Sequence, residues 1–115
     1  MGATFNLMVE SRTYDLDLIF QALSDPTRRA IVKTLTRREK PITEVAKPFG
    51  MSLAAVSKHV KVLERARLVH RDRRGSYSYL TLNPGAMQTA GQWIDHYRQL
   101  WEDRLDALKH LLEKE

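Results

Sequence analysis

The sequence predicts a mainly α-helical fold with one small β-hairpin, in the order α-α-α-α-β-β-α, and three observations carry it. Apolar residues recur at three- and four-residue steps in several separate stretches, as in helices that bury one face. Most of these stretches open on a capping residue or a proline: Asp25-Pro26, Thr43, Ser52 and Asn83-Pro84. Before the last helix, two short β-type segments flank Arg74-Gly75-Ser76 and read as a hairpin.

Residues 1 to 12 show no clear period and are expected to form a flexible N-terminal segment, leaving one domain over 13–115. Tyr14 to Leu23 reads as the first helix, with Leu16, Ile19, Phe20 and Leu23 on one face. Asp25 caps a second helix that starts at Pro26, where no N–H is missed, and runs to about Thr36 with Ile31 and Leu35 inward. Thr43 is expected to cap a short third helix carrying Val45, Ala46 and Phe49. Pro48 should cut that helix short or distort it, and Gly50 should end it. Ser52 caps the fourth helix, to about Ala66, on a core stripe of Val56, Val60 and Leu63. Leu68–Arg73 and Tyr77–Leu82 are the hairpin strands. Asn83-Pro84 then opens a last helix over about 84–114, some 45 Å at about 1.5 Å per residue.

Charge is unevenly placed. The formal net charge is +5, and the stretch from Ser52 to Arg74 holds seven cations against two carboxylates, the whole of that excess. A second basic block joins Arg28, Arg29, Lys33, Arg37, Arg38 and Lys40 against Glu39 alone. Concentration of the excess in one short stretch implies a polyanionic partner rather than a merely solvated face. There is no cysteine, hence no disulfide and no thiolate metal site. No apolar run is long enough to cross a membrane, and Phe5 to Val9 is too short and interrupted for a signal peptide, so a cytoplasmic location is expected. Asn6 stands where an N-myristoylation signal wants Ser or Thr.

Two helices joined at a tight glycine turn, followed by a basic hairpin, make a winged helix-turn-helix. A helix of this kind fits the major groove of B-form DNA and reads base edges with its early residues, while an Arg-rich hairpin beside it grips phosphates. The expected recognition residues are Ser52, Leu53, Ala54, Ser57, Lys58, His59 and Lys61; those of the wing are Arg71, Arg73, Arg74 and Ser76. Ser57 and Lys58 offer donors to bases or phosphates. Leu53 and Ala54 can touch thymine methyls, although Leu53 fits core packing equally well. His59 borders the core face, either packed with one polar contact or donating to a phosphate.

The run Gln21-Ala22-Leu23-Ser24-Asp25-Pro26-Thr27-Arg28-Arg29 resembles the opening signature of the ArsR-type (ArsR/SmtB) repressors. The stretch MSLAAVSKHVKVLERARLV from Met51 to Val69 resembles their recognition helix and entry to the wing, and Arg74 to Tyr79 their wing tip. The tail, with Trp93, Tyr97, Trp101, Arg104, Leu105 and Leu108, looks like a cysteine-free branch of that family. The resemblance implies a homodimer that binds double-stranded DNA at a pseudo-palindromic operator and represses transcription, with no cofactor and an effector left open.

Relatives in that family sense metals, and the metal-responsive reading is the alternative within the same fold. The family's cysteine motif would fall at about Thr43 to Lys47, which reads Thr-Glu-Val-Ala-Lys. A second family site on the last helix is half present: His110 and Glu113 keep its His-x-x-Glu spacing. Tyr97 and Gln99 occupy the other half, with Asp95 and His96 out of register. No metal is therefore expected, since a zinc site needs three or four placed ligands.

Met87, Ala90, Ile94, Tyr97, Trp101, Leu105, Leu108 and Leu112 form a stripe longer than so small a domain can cover, and a partner helix is the simple remedy. The expected dimer interface is Leu16, Ile19 and Phe20 with Ile94, Tyr97, Trp101, Leu105 and Leu108. A ligand pocket lined by Trp93, Tyr97 and Trp101 is the competing use of the same aromatics. No Gly-rich phosphate cradle or G-x-S-x-G elbow points to an enzyme, and Ser57 and His59 lie on different helix faces. A winged helix used for protein contacts alone is disfavoured by the basic recognition helix and wing.

Overall fold

The computed structural model describes residues 14–114; the proposed N-terminal segment lies outside them. Among these residues five α-helices, one 3-10 turn and a three-stranded sheet follow one another. They are α1 (Leu16–Leu23), α2 (Pro26–Thr34), β1 (Lys40–Pro41), α3 (Ile42–Ala46), the turn Lys47–Phe49, α4 (Leu53–Arg65), β2 (Val69–Arg74), β3 (Tyr77–Leu82) and α5 (Pro84–Glu113).

The caps explain most boundaries. Asp15 accepts hydrogen bonds from the Asp17 and Leu18 N–H groups, so α1 starts after it rather than at Tyr14. Asp25 accepts from the Arg28 N–H at 3.0 Å and Pro26 takes the first helical position, as expected. α2 ends at Thr34, two residues early. Thr43 does not cap α3: Pro41 holds that position and offers no side-chain bond. Pro48 converts the end of the short helix into a 3-10 turn, and Gly50 closes it in the left-handed region at φ 61°. Ser52 caps α4 by accepting from the Ala55 N–H at 3.1 Å.

The end of α4 is a Schellman closure. The Arg67 N–H donates to the Glu64 carbonyl at 2.9 Å and the Leu68 N–H to the Leu63 carbonyl at 3.0 Å. Arg67 adopts φ 62°, where glycine is more usual, and its guanidinium lies 5.0 Å from the centre of the Tyr14 ring. Leu63 and Leu68, which the closure brings together, are both fully buried.

The sheet is antiparallel in the order β1-β3-β2. Its edge strand β1 was not foreseen. Lys40 pairs with Leu80 and Pro41 with Tyr79, a two-residue segment with too few positions to display any alternation. One core serves the whole unit, drawing Ile19 and Ala22 from α1, Ile31, Val32 and Leu35 around α2, and Val56, Val60 and Leu63 from α4. Ile42 and Val45 of α3, Ala66 and Leu68 after α4, Val69 and Leu80 of the hairpin, and Ala86 and Ala90 of α5 complete it. Beyond Gly91, every described residue of α5 is exposed.

This burial corrects one expected interface residue. Ile19 is 0% exposed and packs inward, so it has no surface left for a partner chain. Leu16 and Phe20 are half-buried, and the Phe20 ring meets Trp93 edge-on at 5.5 Å.

Candidate nucleic-acid interface

The core stripe of α4 decides what the rest of the helix can present. With Val56, Val60 and Leu63 inward, the opposite side carries Ala54, Lys58, Lys61 and Arg65 at steps of four, three and four, all exposed. Arg65 was absent from the expected site, although this spacing marks it as readily as Lys61. Ser52 and Leu53 are exposed at the start of the helix. Leu53 and Ser57 turn toward the hairpin and, with Arg71, Ser76, Tyr77 and Ser78, line a cleft of about 200 Å³ between recognition helix and wing. Leu53 is 48% exposed and stands apart from the core, which answers the packing alternative raised above.

His59 turns to the other side of α4. Its Nδ1 lies 3.4 Å from Arg28 Nη1 and 3.9 Å from the Asp25 carboxylate. It is thus packed against the start of α2, away from the exposed stripe, which favours the packed alternative. The N–H of Arg28 holds the Asp25 carboxyl below its ordinary range, with the Arg28 and His59 charges assisting against partial desolvation.

Part of the second basic block is also structural. Arg28 donates through Nε to the Ala22 carbonyl at 2.7 Å and through Nη2 to that of Gln21 at 3.1 Å. Arg29 donates to the Leu23 carbonyl at 2.8 Å. These guanidiniums satisfy the open carbonyls at the end of α1, which the charge map alone did not reveal.

Strand alternation sorts the wing cations. Val69, Arg71 and Arg73 share a sheet face with their cross-strand partners Leu82, Leu80 and Ser78; the burial of Val69 and Leu80 marks it as the inner face, toward α4. Asp72, Arg74, Tyr77 and Tyr79 lie on the outer face. Arg71 donates through Nε to the Glu64 carboxylate at 3.0 Å and so ties wing to recognition helix. Arg74 is held by Glu39 at 2.8 and 2.9 Å and by Asp72 at 3.0 Å, over the Tyr79 ring at 4.5 Å. These hydrogen bonds raise the Arg74 pKa and lower that of Glu39. Arg73 is exposed and has no ion-pair partner among the described residues. Ser76 is exposed beside Gly75, which makes the turn at φ 62°.

The expected interface residues of α5 stand in the open: Ile94, Tyr97, Trp101, Leu105 and Leu108 are all exposed, Trp101 at 61%. Tyr97 stacks at a tilt on Trp93 with ring centres 4.5 Å apart. His110 and Glu113 lie on the same exposed length. Among the described residues no three His, Asp or Glu side chains gather as metal ligands.

A glycine-turned helix pair, a cationic exposed stripe and a hairpin pinned beside it define a winged helix-turn-helix DNA-binding protein. Comparison with known proteins agrees. Residues 23–72 match the model of a helix-turn-helix domain. The transcriptional repressor SdpR of Bacillus subtilis (strain 168) is 32% identical over 76 residues, which span 66% of this chain and 84% of that protein. A crystallised ArsR family transcriptional regulator is 34% identical with a TM-score of 0.71, covering 76% of this chain and 90% of its own. At 21% identity and a TM-score of 0.59, the fold is shared with a homodimeric winged helix-turn-helix DNA-binding domain from Mycobacterium bovis, over 84% of this chain and 87% of that one. The chain belongs to the ArsR family of winged helix-turn-helix transcriptional regulators.

Proposed function

We propose that this regulator is a repressor that binds an inverted-repeat operator as a homodimer and blocks transcription by occupying it. The observation that carries the reading is the stripe Ala54–Lys58–Lys61–Arg65 beside the inner wing face, an arrangement suited to a major groove and its flanking phosphates. Ser57 and Lys58 read base edges, with Ala54 and Leu53 against thymine methyls. Ser52, Lys61, Arg65, Arg73 and Ser76 hold the backbone. Arg71 keeps the wing at its distance from α4.

Dimerisation is supported by the uncovered face of α5. Ile94, Trp101, Leu105, Leu108 and Leu112 recur on one side, with Tyr97 at its edge, and so continuous an apolar surface marks an interface. A second copy supplies the same stripe, and a two-fold pair of recognition helices follows from that symmetry. No described helix is long and apolar enough to cross a membrane, in keeping with a cytoplasmic regulator.

Selection of bound duplexes from a random pool, followed by sequencing, tests the reading. The expected product is an imperfect inverted repeat with half-site centres about 34 Å apart or a small multiple of that. Recovery of unpaired sites alone would refute dimeric operator binding.

A further inference from the structure

The recognition helix and the exposed length of α5 have few direct contacts with each other, yet in a dimer the second must aim the first. The shared core joins them, and so does Asn83, at the point where α4, the base of the hairpin and α5 meet.

Asn83 uses its hydrogen-bonding capacity in three directions. Its Oδ1 accepts from the Gly85 N–H at 3.2 Å and caps α5. Its Nδ2 donates to the Arg67 carbonyl at 2.9 Å, and its backbone N–H donates to the Leu68 carbonyl, also at 2.9 Å. Arg67 and Leu68 are the two residues that close α4. The Tyr14 hydroxyl stands within 3.3 Å of Nδ2. The cap leaves no freedom in the amide orientation: Oδ1 must face the Gly85 donor, so Nδ2 must face the Arg67 acceptor.

A capping residue needs only the acceptor, and Ser, Asp or Thr would serve α5 as well. The donor half of the amide does something else. It links the last turn of the recognition helix to the first turn of the terminal helix across one residue. We infer that Asn83 is a positioning residue for DNA recognition: its Nδ2–Arg67 carbonyl bond sets the angle between α4 and α5, and hence the half-site spacing the dimer accepts. This rests on the dimeric operator reading.

Two variants separate the halves of the amide. Asn83→Asp keeps the acceptor and places a second oxygen against the Arg67 carbonyl. Asn83→Ser keeps a cap too short to reach that carbonyl, and is read if the first variant does not fold. The absence of cysteine allows spin labels at Arg65→Cys and Lys109→Cys for distances measured without DNA, while affinities are measured on unlabelled proteins that keep Arg65. Dilution of the doubly labelled protein into excess unlabelled protein makes each measured distance one within a single chain.

With Asn83 the label–label distribution should be narrow, and in the variants broad or displaced. Affinity for a single half-site duplex should stay as in the parent. Affinity for the paired operator should fall about tenfold as correct simultaneous engagement is lost, and a one-base-pair insertion between half-sites should be better tolerated. A folded variant that keeps the parental spacing preference overturns the inference. If the parent itself shows no preference for paired half-sites, the operator reading fails instead. The label distances then decide alone: a parental distribution overturns the role of Asn83, and a broadened one keeps it as the residue that fixes the inter-helix angle.

Discussion

Arg74 crosses the outer face of the sheet and places Nη1 and Nη2 on the two carboxylate oxygens of Glu39, 35 residues earlier, at 2.8 and 2.9 Å. The bidentate pair fastens the end of β2 to the segment entering β1, with Tyr79 beneath it. A guanidinium so engaged has three of its five N–H donors committed to charge-assisted bonds and is held against the sheet, so it meets a phosphate less readily than a free one. Arg73, next to it in sequence and on the opposite face, has no such commitment.

The roles of these neighbours should therefore separate. Arg73→Ala should weaken binding to every duplex similarly and lower the log–log salt slope by about 0.9, the contribution of one phosphate. Arg74→Ala should leave that slope nearly unchanged and loosen the wing. Mobility-shift titrations across a salt series measure both; a full unit lost in Arg74→Ala but none in Arg73→Ala would reverse the assignment.

Sequence preference should reside in α4. Lys58→Ala and Ser57→Ala should each relax discrimination between the selected operator and single-base variants of it, with losses of about 1–3 kcal/mol on the preferred site where a base contact is removed. Competition binding with a panel of mutated duplexes gives the result. Uniform weakening across the panel would make both residues backbone contacts.

Acid should destabilise the fold in a defined window. The Arg28 N–H depresses the Asp25 pKa, a hydrogen bond from Arg74 that of Glu39, and one from Arg38 that of Glu44. Each carboxylate thus adds stability that is fully present above the unfolded values near about 4 and lost as pH falls through the lower folded ones. Thermal unfolding should show a Tm flat with respect to these groups above about pH 5 and falling below about pH 4. Glu39→Gln should start lower and lose less on acidification. A Tm that rose over the same range would contradict the sign.

Trp101→Asp should split dimer from fold. The exposed length of α5 stands clear of the protomer's own core, so the variant should keep its helical circular dichroism. An unpaired carboxylate buried in the seam costs several kcal/mol, enough to raise the dimer dissociation constant on the order of a hundredfold. Sedimentation should find monomers that bind any duplex weakly and salt-sensitively but have lost tight operator binding. A dimeric variant with normal operator affinity would place the seam elsewhere.

Local chemistry made much of this protein legible in its sequence. Asp25-Pro26, Ser52 and Asn83-Pro84 announce helix starts because caps act within three residues. Val56, Val60 and Leu63 show the buried side of α4 because helical period maps directly onto a face. Pro48 and Gly50 mark the turn for reasons of backbone geometry alone.

Tertiary structure alone decided which cations remain available. Arg28, Arg29, Arg71 and Arg74 carry the same charge in the sequence as Arg73, Lys58 and Lys61. Asp72 beside Arg74 apart, their partners lie six to 35 residues away, and nothing in composition or period reveals such pairings. The same holds for Ile19, which shares a stripe with Leu16 and Phe20 yet is the one sealed in the core. β1 lies beyond sequence reading because two residues become a strand only when β3 is placed beside them. Asn83 reads from the chain as a helix cap; only the folded arrangement brings the Arg67 carbonyl to its other end, because a hydrogen bond depends on where two groups meet in space.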